Sequence, residues 1–319
     1  MEQTAKSFRP DNLRTWLPLA TLVALVALVG VVQPGFLEPG TLIDLASDTA
    51  VLFVLATGVT FVIMLGGIDL SIQSMASLAS VIVALTVPRL GYGSFLLAIA
   101  VGAFAGLISA VIHVRLKIPS FIATLAMGGV LFSAALMISK ERSITLNESG
   151  RAYQSWITGE WFGLPNVIVV GLVVLAAAHV LQAHTRFGRY SAAIGAGEPA
   201  AYASGVKVSR QKIYAFVLSA AFAALAGVIL AGRLASGSPT LAAELLLPSI
   251  AAVVVGGTAI TGGVGSIWRT LVGALIISVV RIGMTFLGVN IFAQNIVFGA
   301  VLTAAVAITI DRTKIPIVK

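Results

Sequence analysis

The sequence predicts an all-α fold, a polytopic transmembrane bundle of about ten helices (eight to ten) with both termini in the cytoplasm. Hydrophobic residues make up 58% of the 319-residue chain and charged residues only 10%, whereas a soluble domain carries about 25% charged residues. Apolar runs near the ~20 residues needed to cross the hydrocarbon layer recur along the whole length. Runs such as VIVVGLVVLAAAHVL do not alternate apolar and polar residues, as the strands of a membrane β-barrel do.

Polar breaks between the apolar runs give the boundaries of ten predicted spans. In chain order these are 16–33, 43–66, 70–88, 94–114, 118–139, 164–183, 213–232, 248–267, 269–288 and 291–310. Eight or nine spans remain possible if one segment is re-entrant. This drawing leaves a basic N-terminal tail (1–15), a single membrane domain (16–312) and a C-terminal tail (313–319).

In this predicted topology, lysine and arginine are distributed unevenly between the two sides of the membrane. The side with more of these basic residues is expected to face the cytoplasm. Of the 20 basic residues, Arg281 falls within a span, and the poorer side holds only Arg89, Lys140, Arg142, Arg151 and Arg233. Both termini and the 184–212 loop are therefore expected to be cytoplasmic, and the 140–164 loop external. Trp156 and Trp161 of the external loop are expected at the membrane interface.

Several other functions depend on residues that this chain lacks. It contains no cysteine, which excludes disulfides, thiolate metal sites and cysteine nucleophiles. The pattern GxxxxGK(S/T) does not occur, so the chain is not expected to bind ATP through a P-loop. His113, His179 and His184 form no HExxH pattern, and we expect no metal, cofactor or catalytic residue. The basic cytoplasmic segments explain the net charge of +8, so nucleic acid is not an expected partner.

A helix break interrupts a long apolar run at FVIMLGGIDLSIQSM (61–75). Gly66 and Gly67 are expected to end one helix, and Asp69 or Ser71 to cap the start of the next. A charge in a span is costly and usually functional, but a turn at the membrane edge would also explain Asp69. A similar stretch, AAVVVGGTAITGG, ends a later apolar run. This similarity indicates either a parallel repeat of two halves or a coincidence.

Many of the predicted spans are rich in small residues. Two examples are the stretches VGAFAGLISAVI and SAAFAALAGVILAG. Glycine, alanine and serine at such spacings allow helices to approach closely in a membrane, so both stretches are expected to lie in helix–helix contacts.

The cytoplasmic loop contains a short predicted helix within AIGAGEPAAYASGV (193–206). Gly197 can serve as its N-cap, Glu198 favours the positive helix end, and Pro199 is tolerated in the first turn. The next five residues are mostly good helix formers, and Gly205 suits the position after the helix end. A helix of less than two turns is marginal alone, so this one needs a surface to pack on. It is either a loop helix without a partner or a docking element for a soluble protein.

These stretches resemble the membrane permease subunits of bacterial ABC importers of the ribose, xylose and galactoside type. The resemblance rests on GGIDLS (66–71), AIGAGEPAAYASGV (193–206) and IAAVVVGGTAITGGVG (250–265), and with the spans it covers roughly residues 35–312. It implies a multi-pass protein of the bacterial inner membrane, with a translocation path between two permease subunits. It also implies an external sugar-binding protein and a cytoplasmic ATPase subunit on which a coupling helix within 193–206 rests.

The resemblance assigns expected roles to three sets of residues. Contact with the ATPase is expected of Gly195, Gly197, Glu198, Pro199, Ala200, Ala201, Tyr202, Ser204 and Gly205. The translocation path, or the helix breaks that shape it, is expected to involve Gly66, Gly67, Asp69, Ser71, Gly256, Gly257, Thr258, Gly262 and Gly263. Glu244 and Arg281 are further polar candidates in the membrane, and Arg281 is expected to line the path, pair with an acid or reach the interface.

Two positions depart from the family pattern. Gly197 stands where the family often has Asn, and it can still form a cap. The family often has Glu-Leu-Asp-Ala before IAAVV, whereas this chain has Leu246, Leu247, Pro248 and Ser249. The loss of both acids indicates either an unusual substrate or a different second permease subunit that supplies the polar groups.

Three classes of function follow from these observations. An importer permease needs no catalytic residue of its own, and its expected solute is a monosaccharide or polyol, or within the wider family a purine nucleoside or signalling furanose. An ion-coupled secondary transporter or facilitator of small polar solutes needs ion-binding groups near mid-membrane, and acids are sparse here. An intramembrane enzyme needs a nucleophile with a base, or a metal, and neither pattern is present. The sequence therefore favours the importer permease.

Overall fold

The computed structural model describes residues 10–309, and it describes side-chain surroundings for residues 17–290 and 293–304. Residues 1–9 of the predicted N-terminal tail and all of the predicted C-terminal tail lie outside this part of the chain. The predicted all-α class is confirmed, because the described residues are mostly helical and the strands form only two small two-stranded sheets.

The elements follow one another along the chain with short connections. The helices are α1 (Pro10–Val32), α2 (Pro39–Met64), α3 (Ile72–Leu90), α4 (Gly93–Arg115), α5 (Ser120–Ser139), α6 (Glu148–Ala152), α7 (Ser155–Thr158), α8 (Asn166–His184), α9 (Arg186–Ala196), α10 (Glu198–Ala203), α11 (Val208–Arg233), α12 (Leu246–Val255), α13 (Ile267–Phe286) and α14 (Ile291–Thr309). The strands are β1 (Ile144–Thr145), β2 (Glu160–Trp161), β3 (Leu164–Pro165) and β4 (Ser236–Gly237), and short 3-10 turns lie at Pro34–Leu37 and Ala243–Leu245.

Seven of the described helices are long and apolar enough to cross a membrane: α2, α3, α4, α5, α8, α11 and α13. Three further apolar helical stretches are shorter, at Leu17–Val32, Ala243–Val255 and Ala293–Ala304. The chain is therefore a multi-pass membrane protein, while the count of about ten spans and the cytoplasmic termini stay predictions.

The span predicted at 248–267 is wrong as drawn. Helix α12 has 10 residues and ends at Val255, and residues 256–266 are not helical. Ten residues rise only ~15 Å, about half of the ~30 Å hydrocarbon layer. The physical reason lies at Gly257, whose φ of +93° is a left-handed conformation that stops the helix. Gly256 and Gly257 are among the residues expected at a helix break, and the span drawn through them to residue 267 disagrees with that expectation.

Helix α11 packs against α2, α3 and α4. Its small residues face the small residues of α4, as the sequence predicts: a Cβ on Gly102 of α4 would lie 2.7 Å from the carbonyl oxygen of Ala220. On α11 itself, a Cβ on Gly227 would overlap the carbonyl oxygen of Ala76 in α3. Glycine at these positions allows the helix backbones to approach without an intervening side chain.

The predicted external loop, 140–164, forms a folded cap at one end of the bundle. Strand β1 pairs antiparallel with β4, with Ile144 opposite Gly237, and this pairing ties the loop to the connection after α11. Strands β2 and β3 form a separate hairpin that leads directly into α8. The segment predicted as the cytoplasmic loop lies at the opposite end of α11 and forms α9 and α10.

We predict that Gly227→Ala lowers the melting temperature of the chain in detergent. The added methyl group must displace the α3 backbone at Ala76, and overpacking of this kind costs about 1–3 kcal/mol. Gly299→Ala is the matched control, because nothing lies within 4 Å of its Cβ position and Gly→Ala in a helix gains up to ~1 kcal/mol. Equal melting temperatures for the two variants would contradict the close α3–α11 contact.

Candidate functional site

The break between α2 and α3 lies at the predicted position, but no side chain caps the start of α3, so the predicted cap by Asp69 or Ser71 is wrong. Helix α2 ends at Met64, and Gly66 adopts a φ of +77°, which confirms the predicted stop. Asp69 is 1% exposed, and its Oδ1 accepts hydrogen bonds from the Ser71 amide (2.9 Å) and the Ser71 hydroxyl (2.6 Å). The Ser71 side chain itself does not cap α3. Asp69 thus holds the chain in position just before the helix begins.

The extended stretch between the two helices is held by hydroxyl groups of α5. The amide of Ile68 donates to Ser120 Oγ at 3.0 Å, and the amide of Leu70 donates to Thr124 Oγ1 at 3.0 Å. Backbone N–H groups in an apolar surrounding need such partners. Sequence reasoning missed Ser120 and Thr124, although hydroxyls one turn apart in an otherwise apolar helix were a possible signal.

Three segments that the sequence singled out meet at one glycine-lined contact, which we call the glycine junction: Gly66, Gly195, Gly262 and Gly263. The Gly263 amide donates to the Met64 carbonyl oxygen at 3.0 Å. A Cβ on Gly262 would lie 2.8 Å from the Gly66 nitrogen and 3.0 Å from the Gly195 Cα. A Cβ on Gly195 would overlap both the Met64 carbonyl oxygen and the Gly263 nitrogen. The three backbones therefore touch directly, with no room for side chains.

The non-helical segment 256–266 is fixed by partners on both sides. Beyond Gly257, Thr258 is buried and its amide donates to the Val253 carbonyl at 3.1 Å. The Gln182 side chain of α8 donates to the Gly265 carbonyl at 2.8 Å and accepts from the Ile267 amide at 2.9 Å. Gln182 therefore satisfies the backbone where α13 begins, a role that no sequence pattern indicates.

The short helix predicted in the cytoplasmic loop is present as α10. Gly197 precedes it, Pro199 lies in its first turn, and Gly205 follows its end with a φ of +83°. Glu198 forms an ion pair with Lys212 of α11 at 2.7 Å. Ala201 is buried against the bundle, while Pro199, Ala200, Tyr202 and Ser204 are exposed. With Tyr202 74% exposed, α10 presents an uncovered face.

A cleft of about 320 Å³ lies between α3 and α5 near the Asp69 break, and we call it the α3–α5 cleft. Its polar lining comes from Gln73, Ser74 and Ser77, which share one face of α3, and Phe132 of α5 contributes an aromatic ring. None of the side chains that line it carries a formal charge. Sequence reasoning missed these residues, although polar residues at positions i, i+1 and i+4 of an apolar helix were a possible signal.

The two remaining polar candidates lie elsewhere. Arg281 of α13 pairs with Asp48 of α2 at 2.6 Å, and Arg233 at the end of α11 pairs with the other carboxylate oxygen at 2.7 Å. Pairing with an acid, one of the three expected roles of Arg281, is therefore the one observed. Glu244 is exposed, and its carboxylate accepts a hydrogen bond from Asn295 of α14. Within residues 10–309, no group of three or more potential metal ligands occurs.

Comparison with known proteins gives one family and several close relatives. The family described as "Branched-chain amino acid transport system / permease component" matches residues 41–306. The ribose import permease protein RbsC of Bacillus subtilis (strain 168) is 37% identical over 301 residues, which cover 93% of this chain and 92% of the relative. RbsC of Escherichia coli (strain K12) is 35% identical, with 92% and 94% covered. The fructose import permease protein FrcC of Rhizobium meliloti is 34% identical, with 92% and 84% covered.

We predict that Asp69→Ala destabilises the chain and that Asp69→Asn does so much less. Alanine leaves the buried Ser71 amide and hydroxyl without their acceptor, a loss worth about 1–3 kcal/mol, whereas asparagine keeps an oxygen at Oδ1. Thermal unfolding of both variants in detergent measures the difference. If both lower the melting temperature equally, the carboxylate charge, and not the hydrogen bonds, stabilises the break.

Proposed function

The chain belongs to the family of transport-system permease components, which residues 41–306 match, and it is similar to sugar import permeases of ABC transporters. We propose the following function for it. It is the transmembrane permease subunit of an ATP-binding-cassette importer in the bacterial inner membrane. It forms the translocation path for a sugar or sugar-like solute and contains no ATPase or other catalytic site of its own. The observation that carries this proposal is the glycine junction, because it connects α10 to the helix break beside the cleft.

The partner on the cytoplasmic side is a separate ATPase subunit that docks on α10. Pro199 and Tyr202 of α10 are exposed and line an open cleft with residues 113, 114 and 117–119, which leaves them available to another protein. Ala201 and the Glu198–Lys212 ion pair hold the opposite side of α10 to the rest of the chain. A force on Tyr202 and its neighbours would therefore pass into α9 and α11 instead of bending a loose loop.

The glycine junction passes that movement to the helix break. Gly195 lies only three residues before α10 and contacts the backbone at Met64 and Gly263. Movement of α10 would therefore displace the end of α2 and, through the Asp69 turn, the start of α3. Because α3 lines the cleft, ATP-driven closure of two ATPase subunits would change access to the path, which is the alternating-access mechanism that we propose.

The lining of the α3–α5 cleft favours a neutral polyhydroxy solute. The Gln73 amide and the Ser74 hydroxyl suit the hydrogen-bonding groups of a monosaccharide or polyol, and the Phe132 ring suits the apolar face of a sugar. A zwitterionic amino acid would need charged partners when it leaves water, and no charged side chain lines the cleft. The wall opposite α3 and α5 would come from a second permease subunit, and an external binding protein would deliver the solute at the capped end of the bundle.

An ion-coupled secondary transporter is the alternative. That mechanism needs an acid that opens to the path, whereas Asp69 is 1% exposed and bonded to Ser71. Reconstitution with the ATPase distinguishes the two functions: in proteoliposomes, a solute-loaded binding protein should stimulate ATP hydrolysis and uptake together. Uptake that persists without any ATPase would overturn the importer proposal.

We predict that Gly195→Ala uncouples ATP hydrolysis from transport and that Gly197→Ala does not. The methyl group at Gly195 would separate the backbones of the junction, whereas at Gly197 the Cβ position is 3.9 Å from its nearest neighbour and φ is extended. Uptake per ATP should fall about 5- to 150-fold, the range of a ~1–3 kcal/mol coupling free energy. Assembly with the ATPase, measured by co-purification, should stay normal in both variants. Equal coupling ratios would contradict the proposed role of the junction.

We predict that a bulky maleimide on Gly129→Cys blocks most of the uptake. Gly129 is exposed in the cleft, and a chain without native cysteine is labelled only at the introduced thiol. Unlabelled Gly129→Cys, whose Cβ position has nothing within 4 Å, is the matched control and should transport normally. If labelled Gly129→Cys transports normally, the solute does not pass through this cleft.

A further inference from the structure

The β2–β3 hairpin has an unusual tip. Its two turn residues, Phe162 and Gly163, have φ values of +51° and +76°, as in the type I′ turn that joins two antiparallel strands. Glycine and asparagine favour this conformation, and a bulky residue with positive φ is uncommon. Backbone strain of this kind persists where the surrounding structure fixes it, and it occurs more often at functional positions.

The side chains of this tip are apolar and uncovered. Phe162 is fully exposed, Trp161 is 64% exposed, and Leu164, which pairs with Trp161 across the hairpin, is 45% exposed. The other tryptophan of the loop differs: Trp156 packs with Phe95, and its indole nitrogen is buried. Of the two tryptophans expected at the membrane interface, only Trp161 presents its ring outward.

The base of the hairpin is fixed to the bundle. The Asn166 amide donates to the Gly159 carbonyl at 2.9 Å, which closes the hairpin where α8 begins. Just before it, Ile157 of α7 is 2% exposed, and α7 packs against α11 and α8. The exposed aromatic residues are therefore held in a defined position and are not part of a loose loop.

The apolar tip continues into an apolar helix face. Helix α8 has the length and hydropathy of a membrane span, and only 28% of its most apolar window is buried within the chain. Leu172, Val173 and Val180 are each more than half exposed on it. An apolar face of this length on a membrane-spanning helix faces hydrocarbon. Residues 165–171, between the hairpin and this face, are buried or half-buried, so the hairpin lies beyond the end of the exposed face, toward the membrane–water interface.

We propose that the β2–β3 hairpin is a lipid anchor, with Trp161 and Phe162 inserted among phospholipid headgroups in the leaflet opposite the glycine junction. Aromatic residues favour this depth, because the ring is apolar and the indole N–H can bond to water or headgroups. Glu160 is the only charged residue of the hairpin, and it precedes the tip. Helix α8 packs against α2 and α13, so the hairpin does not lie over the α3–α5 cleft. The anchor is independent of the transported solute and of the proposed function.

A lipid-depth measurement tests this proposal. A single-tryptophan variant keeps Trp161 and changes Trp16, Trp156 and Trp268 to Phe, and it is placed in nanodiscs of phosphatidylcholine with or without bromine on the upper acyl chain. Bromine quenches a nearby indole, so Trp161 should lose most of its emission, and Phe162→Asp in the same background should restore it. If the triple change prevents folding, the difference between the wild-type chain and Trp161→Phe in brominated lipid gives the same quantity.

Two results would overturn the anchor. The first is Trp161 emission that brominated lipid does not change. The second is quenching that Phe162→Asp leaves intact, which would place Trp161 against lipid without insertion of the tip. A Trp161 spectrum that is insensitive to bromine and shifts only when a solute-loaded binding protein is added would instead assign the hairpin to protein docking.

Discussion

Direct contact between backbones is the constraint on which the rest of this structure depends. At the glycine junction, Gly195, Gly66 and the Gly262–Gly263 pair approach so closely that a single methyl group on Gly195 would collide with two other segments. Gly102 of α4 and Gly227 of α11 allow equally close backbone contacts between helices of the bundle. Lipid offers no hydrophobic driving force between helices, so this close packing is what holds membrane helices together. At the junction it also joins three segments that are far apart in the chain.

Two irregular segments lie inside the bundle, and both are stable because protein groups satisfy their backbones. Residues 65–71 use Asp69, Ser120 and Thr124, and residues 256–266 use Gln182 and contacts within the segment. Non-helical backbone at membrane depth is tolerated only with such partners or beside water. The first segment also turns the chain into α3, whose polar face lines the cleft, so the same break serves both stability and the proposed path.

Local chemistry explains which parts of this arrangement sequence reasoning could predict. Gly66 with Gly67, and the sequence from Gly197 to Gly205, determine where helices stop and start within a few residues, and both predictions are confirmed. Gly256 and Gly257 were expected at a helix break, but the span drawn over 248–267 runs through them, because an apolar run has the same hydropathy whether its backbone is helical or extended. Thr124 and Gln182 act on partners more than 50 residues away, and a single sequence does not show which distant segments meet. The roles of these residues in transport remain proposals for the same reason.

The half length of α12 also has an electrostatic consequence. A helix that ends inside the bundle brings the partial negative charge of its last carbonyls into a region of low dielectric constant. The guanidinium of Arg269, two residues into α13, lies about 4.0 Å from the Cβ position of Gly257, next to that helix end. A cation near a helix C-terminus offsets the macrodipole. Arg269, which the predicted topology places on the cytoplasmic side, thus lies beside the C-terminal end of α12, where a positive charge is favourable.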